Sequence, residues 1–255
     1  MTEETRRAVV DRLLELGESE EVVSGAYPQL TADPDANALL VNDPFAFLLA
    51  VVGDYQIPAE RAWALPYLLA KRLGHLDPVR MLAEPEAVHE AFTRRPALHR
   101  FVHTVPKFML GACTIVMNEY DGDASTIWSD QPTAIELQER LRRFPGVSQK
   151  KAAMAVEMIE RDLGIPVADM NGSDVAIDVH VRRVFLRTGL VERDNSRDIV
   201  EAARLLYPQR PGALDLPAWI VGRSWCKARD PLCDECALSD VCPRLVARGD
   251  SVKGA

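Results

Sequence analysis

The chain has 255 residues, of which 47% are hydrophobic and 27% are charged, so it can form a sizeable core and extensive disorder is not expected. Its formal net charge of −8 argues, taken alone, against a nucleic-acid partner. No apolar run approaches the roughly 20 residues of a membrane span, and the mixed charges of the first segment exclude a secretory signal. We therefore expect a cytoplasmic protein, where structural disulfides are rare.

Helical periodicity runs along most of the chain. Residues 1–42 predict an amphipathic helix followed by a connector rich in Pro and Asp, and residues 45–74 predict two helices broken near Gly53–Pro58. Asp77 is placed to cap a helix that begins at Pro78. The alternating runs of Val, Ile and Thr that indicate strands are scarce. The sequence therefore predicts an all-α fold.

The stretch "LRRFPGVSQKKAAMAVEMIERDLG" predicts two helices joined by a tight turn. The first helix is expected to end at Phe144, and Ser148 is placed to cap the second. A glycine turn that leads into a helix exposes backbone N–H groups, which bind phosphate without reading sequence. An ordinary helical hairpin with a basic surface has the same pattern.

An aspartate lies among apolar residues in "VAIDVHVRRVFLRTGLV". Burial of a carboxylate is costly unless the group is paired or used in chemistry, which makes Asp178 a candidate functional residue. The same residue could also cap the helix that follows.

Four of the five cysteines have the spacing C-x6-C-x2-C-x5-C, at Cys226, Cys233, Cys236 and Cys242. Four thiolates in one short loop suit zinc or a [4Fe–4S] cluster. Zinc sites usually contain two short cysteine knuckles, and only Cys233 and Cys236 form one here. The uneven spacing therefore favours the [4Fe–4S] cluster, with zinc as the alternative. The fifth, Cys113, lies in an apolar run and is expected in the core.

The hairpin, the segment "IDVHVRRV" and the cysteine loop occur in the order that the helix-hairpin-helix DNA glycosylases of the endonuclease III family have. This resemblance implies a six-helix barrel domain over 43–160, with the hairpin at about 137–160. It also implies a four-helix iron–sulfur cluster domain formed by 1–42 and 161–255, with a DNA cleft between the two domains.

The resemblance assigns roles residue by residue. It makes Lys150 the nucleophile, Asp178 the essential carboxylate and the four cysteines of the loop the cluster ligands. It implies DNA contacts for Gly146, Ser148, Lys151, Gln56, Tyr55, His180, Arg182, Lys227 and Arg229. Of these, Gln56 corresponds to the residue that fills the hole left by the extruded base, and Lys151 is expected to face solvent or phosphate.

Two features depart from the family pattern. Ser148 replaces the usual glycine of the hairpin, and Asp178 follows Lys150 by 28 positions, a spacing that is longer than in typical members. The extra stretch before Asp178 is expected to loop near the cleft.

The acidic total does not exclude DNA, because charges are screened beyond about 8–10 Å at physiological salt. Basic residues concentrate where the resemblance places the nucleic acid, at Arg142, Arg143, Lys150, Lys151, Arg182, Arg183, Arg187, Lys227 and Arg229. We therefore expect a monomeric, nucleoid-associated enzyme that acts on double-stranded DNA containing a damaged base or an abasic site.

The expected activity is removal of the base followed by AP-lyase strand cleavage. A monofunctional glycosylase for a mispaired or alkylated base is one alternative, and a non-catalytic DNA-binding or redox-sensing iron–sulfur protein is another.

Overall fold

The computed structural model describes residues 2–19, 22 and 30–245. These residues form α-helices, two short 3₁₀ helices and no strand, which confirms the all-α prediction. The α-helices are α1 (Glu3–Gly17), α2 (Pro34–Asn42), α3 (Pro44–Gly53), α4 (Ala59–Leu73), α5 (Pro78–Ala83), α6 (Pro85–Thr93), α7 (Val105–Glu119), α8 (Ala134–Arg142), α9 (Gln149–Arg161), α10 (Val179–Arg187), α11 (Ser196–Leu206) and α12 (Asp215–Ser224). The 3₁₀ helices are Ala124–Ile127 and Pro211–Leu214.

The chain divides into two compact units. One comprises the described residues of 28–168 and contains α2 to α9, and the other comprises those of 1–27 and 169–255 and contains α1 and α10 to α12. The domain boundaries predicted after residues 42 and 160 stay a prediction.

Aspartate followed by proline begins three helices of the unit 28–168. The carboxylates of Asp33, Asp43 and Asp77 each accept a hydrogen bond from an amide of the first turn, and the next proline occupies the first helical position, as both residue types prefer. The predicted cap at Asp77 is therefore confirmed. The connector predicted within residues 1–42 is wrong over Pro34–Asn42, because the same cap starts α2 there. The connector's residues 27–29 lie outside the described part.

The core of this unit forms around α3. Every residue from Phe45 to Gly53 is buried, and the ring of Phe47 stacks on Trp63 and meets Trp128 edge-on. The predicted break after Gly53 is confirmed, since α4 begins at Ala59. Because α3 is buried in the core, its C-terminal end fixes the position at which residues 54–57 begin.

The two helices of the predicted hairpin are α8 and α9, joined by residues 143–148. Gly146 has a φ of +77°, and a Cβ added there would lie 2.6 Å from Cδ2 of Phe108. Only glycine fits both the left-handed backbone and this close approach. The turn is therefore packed directly against α7.

The second unit packs α1 and α11 with α10 and α12. Its core includes Leu13, Phe185, Ile199 and Val221. A Cβ added at Gly222 would lie 2.7 Å from Cβ of His180, so α10 and α12 approach closely at this point. This contact fixes the start of α10.

In the part of the chain that the structure describes, no single helix is both long and apolar enough to cross a membrane. The pair α2 and α3, which is bent by 112°, passes that test of length and composition only when the two helices are taken together.

Candidate functional site

Lys150 is the second residue of α9 and is half-buried. Ser148 occupies the N-cap position as predicted, but its side chain accepts no capping hydrogen bond. The first turn of α9 contains two lysines and no acid, although the positive end of a helix dipole favours anions. This end of the helix therefore combines the N-terminal backbone donors with the half-buried cation of Lys150, a combination suited to phosphate.

Lys151 does not face solvent, so that expectation is wrong. Its side chain is buried, with 6% relative exposure, and Nζ donates a hydrogen bond of 3.1 Å to the backbone oxygen of Val52. Burial lowers the pKa of Lys151 to about 8, the charge of Asp54 opposes that shift, and the charge of Lys150 adds to it. Position 151 follows 150 by one residue, which turns its side chain about 100° around the helix and into the core.

Tyr55 and Gln56 lie in the turn that follows α3. The Tyr55 ring meets the edges of Phe101 and Phe108, with centroid distances of 5.0 and 5.7 Å, and Nζ of Lys151 is 5.8 Å from its centroid. Gln56 is exposed and has a φ of +53°. The tyrosine therefore anchors the turn and the glutamine side chain is available to a partner.

Asp178 is the N-cap of α10. Its Oδ1 accepts hydrogen bonds from the amides of His180, at 2.8 Å, and Val181, at 2.9 Å. The capping role considered from the sequence is therefore confirmed, and it leaves Oδ2 uncommitted within the described part of the chain. The cap fixes the direction of the carboxylate.

His180 and Arg182 follow on the same helix. Nδ1 of His180 accepts a hydrogen bond of 3.0 Å from Arg183, and Arg182 pairs with Asp194. Both side chains are only partly buried. Their predicted DNA contacts stay predictions.

Arg183 and Arg187 are buried, so their expected exposure to phosphate is wrong. The Arg183 guanidinium donates to the backbone oxygens of Cys226, at 2.5 Å, and Gly222, at 2.7 Å. The Arg187 guanidinium donates to those of Lys227, at 2.5 Å, and Ala228, at 3.0 Å. Five N–H donors in a planar fork suit this role, because one side chain satisfies several carbonyls. Their spacing of four residues, on one face of a helix, was the signal that both side chains turn the same way.

The four clustered cysteines line one small cavity, together with Val184, Val221, Trp225, Leu238 and the two arginines Arg187 and Arg244. Three N–H groups point at sulfur: Arg187 to Cys226 at 3.6 Å, Leu238 to Cys236 at 3.5 Å and Arg244 to Cys242 at 3.4 Å. Burial raises the pKa of Cys236 and of Cys242.

No group of three or more His, Cys, Asp or Glu residues in the described ranges has the spacing of a closed metal site. The four thiols nevertheless line the same cavity. All four are free of disulfides. Cys113 is fully buried, and burial raises its pKa to about 12, which confirms that it is a core thiol.

Lys227 and Arg229 lie in the cysteine loop and are exposed. Nζ of Lys227 donates to the backbone oxygen of Arg223. Arg187 holds the backbone at Lys227 and Ala228, and the side chains of Lys227 and Arg229 face solvent.

Residues 162–177, between the end of α9 and Asp178, form no helix. The later part of this stretch is held by hydrogen bonds. Arg204 forms two hydrogen bonds with the carboxylate of Asp174, at 2.8 and 3.0 Å. Ser173 accepts a hydrogen bond from the amide of Gly212, and Asp215 accepts one from that of Ala176. These contacts attach 173–176 to the helices of its own unit.

The structure thus assembles the predicted residues in two sets, one in each unit. The first set contains Tyr55, Gln56, Gly146, Ser148, Lys150 and Lys151, and the second contains Asp178, His180, Arg182 and the cysteine loop. Sequence reasoning missed Phe108, which contacts both Tyr55 and the Gly146 turn. One aromatic residue in an apolar helix carries no pattern that would indicate such a contact.

Comparison with known proteins yields relatives of one kind. Endonuclease III of Synechocystis sp. is 27% identical over 205 residues, which are 76% of this chain and 84% of that protein. Endonuclease III of Rickettsia felis is 31% identical over 138 residues, which are 53% of this chain and 55% of that protein. No protein-family model matches the chain.

Solved structures show the same fold. An endonuclease III trapped as a covalent intermediate with DNA has a TM-score of 0.63, with 20% identity over 94% of this chain and 96% of that one. A thermostable thymine-DNA glycosylase has a TM-score of 0.64, with 14% identity over 95% of this chain and 97% of that one.

The chain thus has the fold of these two solved proteins and is similar in sequence to endonuclease III proteins.

Proposed function

We propose that the chain is a base-excision DNA glycosylase with an associated AP-lyase activity. The observation that carries the proposal is the position of Lys150, in the first turn of the helix that follows the Gly146 turn. A lysine amine forms Schiff bases with sugar carbons, and a covalent intermediate of this kind is consistent with the trapped complex of the similar endonuclease III. The substrate is double-stranded DNA with a damaged base or an abasic site.

The reaction begins when the target nucleotide leaves the helical stack, which costs a few kcal/mol and less for a damaged base. The base departs with the electron pair of its bond to C1′, and the carboxylate of Asp178 stabilises the positive charge that develops on the sugar. The amine of Lys150 bonds to C1′ and releases a proton to water. Opening of the sugar ring gives a Schiff base, loss of a C2′ proton then breaks the C3′–O bond, and the strand is nicked 3′ to the lesion.

Cys226, Cys233, Cys236 and Cys242 would hold a [4Fe–4S] cluster. The donor set fits, because four thiols share one cavity and three N–H groups point at their sulfurs, as around such clusters. The cluster would fix the loop that carries Lys227 and Arg229, whose cations would contact phosphate. Anaerobically purified protein should contain about four irons per chain, whereas stoichiometric zinc without iron would refute this assignment.

Borohydride trapping tests the nucleophile. Wild-type protein should become cross-linked to DNA that contains an abasic site, and Lys150→Gln should abolish the cross-link. Lys71→Gln is the control, since Lys71 is an exposed lysine of the same unit that lies over Tyr67. A Lys150→Gln protein that cross-links as well as wild type would refute the lyase assignment, and base release without any cross-link would indicate a monofunctional enzyme.

Asp178→Asn tests the carboxylate. Asparagine caps a helix as well as aspartate does, so the substitution removes the charge and keeps the two hydrogen bonds of the cap. Base excision should fall by at least about 100-fold, while affinity for DNA stays close to that of wild type. Near-normal excision would show that the acid is elsewhere.

A further inference from the structure

Lys151 contacts the end of a helix far from it in the chain. Backbone oxygens at a helix C-terminus lack partners within the helix and carry the negative end of its dipole. At the end of α3, the amide of Tyr55 reaches the oxygen of Gly53 at 2.7 Å, and Nζ of Lys151 reaches the oxygen of Val52 at 3.1 Å. The lysine therefore caps α3 from α9.

The turn that follows this cap is held by aromatic contacts. The Tyr55 ring lies against Phe101 and Phe108, and the Lys151 amine lies 5.8 Å from the centre of the same ring. Phe108 also lies under Gly146. One group of contacts thus joins the turn after α3, the hairpin turn and the first turn of α9.

Gln56 has a backbone conformation that is costly for a residue with a side chain. A φ of +53° is in the left-handed region, which costs about 1–2 kcal/mol. Such a conformation persists only where the surrounding structure holds it. The neighbours on the chain that hold it are the capped end of α3 and the Tyr55 ring.

A buried lysine is itself an expensive residue. Lysine is almost never fully buried unless it is paired, and the core around α3 would be filled as well by methionine or leucine. The amine of Lys151 has such a partner in the backbone oxygen of Val52.

We propose that Lys151 is a positioning residue, whose buried amine fixes the turn carrying Gln56 to the helix carrying Lys150. The residue that replaces the extruded base and the nucleophile that attacks its sugar are thereby held in one geometry. This inference rests on the proposed function, in which Gln56 enters the space left by the flipped base.

A double-mutant cycle tests the inference, with excision of a lesion in duplex DNA measured under single-turnover conditions. Lys151→Met should slow excision about tenfold, and Gln56→Ala should slow it by a similar factor. If Lys151 acts through Gln56, the double variant should be little slower than Gln56→Ala alone. A residue that only stabilised the fold would give additive effects.

A second readout reports on the turn directly. A 2-aminopurine placed opposite the lesion should show a smaller change in fluorescence on binding Lys151→Met than on binding wild type, and a comparably small one on binding Gln56→Ala. Lys71→Met is the matched control, since Lys71 also lies over a tyrosine ring, 4.2 Å from its centroid. It should stay within twofold of wild type in both measurements.

The outcomes are separable. If wild type neither excises bases nor cross-links, the proposed function fails. If wild type is active and the cycle is additive, or Lys151→Met matches wild type, only the positioning role is refuted. Should Lys151→Met fail to fold, Lys151→Leu, which also lacks an N–H donor, enters the same cycle with the same criteria.

Discussion

Buried cationic side chains that donate to backbone oxygens hold both the cysteine loop and the turn after α3, but they differ between the two places. In each, a cationic side chain of one helix donates hydrogen bonds to backbone oxygens at the end of another helix or in the segment that follows it. Arg183 and Arg187 of α10 hold the loop through three carbonyls and the end of α12 through a fourth. Lys151 of α9 holds the turn through one.

The two cations differ in number of bonds and in chemistry. Arginine stays protonated in proteins and offers five donors in a fixed plane, whereas lysine has a compact amine whose pKa falls on burial. The cysteine loop is therefore held by several hydrogen bonds from cations that stay charged at every pH. The turn after α3 has one such hydrogen bond, from the Lys151 amine, whose pKa is about 8. The loop suits a rigid binding surface, and the turn suits a segment that adapts when DNA binds.

Removal of a cysteine ligand should give the largest effect, because it takes the proposed cluster from the loop. Cys233→Ser should lose most bound iron and cost several kcal/mol, on the order of a structural metal site. Hydrogen exchange should then accelerate in 226–242. Cys113→Ser, at the core thiol, is the control and should keep its iron. A Cys233→Ser protein with a full complement of iron would contradict the ligand assignment.

Arg187→Met should come next in size. It removes donors from the oxygens of Lys227 and Ala228, and partly buried acceptors left without protein partners cost up to about 3 kcal/mol in total. Arg182→Met on the same helix removes an exposed ion pair with Asp194 and a hydrogen bond of 3.3 Å to the backbone oxygen of the same residue, which together are worth about 1 kcal/mol or less. Urea unfolding measures both. Equal losses for the two variants would mean that the loop does not depend on Arg187.

The sequence predicts the features that rest on short-range chemistry. Aspartate before proline identifies the helix starts at Pro34, Pro44 and Pro78, of which only the start at Pro78 is among the predictions above. Glycine after proline identifies the hairpin turn. The spacing of the cysteines groups them correctly around one cavity. These features depend on neighbouring residues, so a linear pattern contains them.

The local sequence pattern does not predict whether a charged side chain of a helix points to solvent or to the core. Lys151, Arg183 and Arg187 look like solvent-facing cations in a basic stretch, yet each is buried against carbonyls from distant parts of the chain. Burial depends on which face of the helix meets the core, and that face is set by tertiary packing. Helical periodicity, counted for charged residues as well as apolar ones, would have placed 183 and 187 together.

Gly146→Ala sharpens the comparison by loosening the turn's support from the hairpin side. Its Cβ would lie 2.6 Å from Phe108 in a backbone with φ of +77°, so we expect a cost of about 2–3 kcal/mol. Gly164→Ala is the control, because its φ is +64° but nothing lies within 4 Å of the added Cβ. It should lose only the conformational part, about 1 kcal/mol. Thermal unfolding of both variants separates close packing from backbone strain.

The smallest effect is a dependence on pH that belongs to Lys151 alone. Its pKa falls from 10.5 to about 8 in the folded protein because burial disfavours the charge, with Asp54 opposing and Lys150 reinforcing the shift. Between pH 8 and 10.5 the unfolded chain therefore binds a proton that the folded chain has lost, and stability from this group rises with pH by about 1 kcal/mol per unit. Below pH 8 both states are protonated and the contribution is constant. His99, also in contact range of this charge, is neutral throughout the window, since burial lowers its pKa below the ordinary 6.5.

The measurement is the free energy of unfolding of wild type minus that of Lys151→Met, from urea titrations at pH 7.5, 8.5 and 9.5. The subtraction removes the contribution of every group that both proteins share, so a positive slope above pH 8 reports Lys151. Lys71→Met replaces an exposed lysine, and its difference from wild type should show no such rise. A flat difference for Lys151→Met would mean that the amine keeps its proton when buried, and that the turn after α3 is held as independently of pH as the cysteine loop.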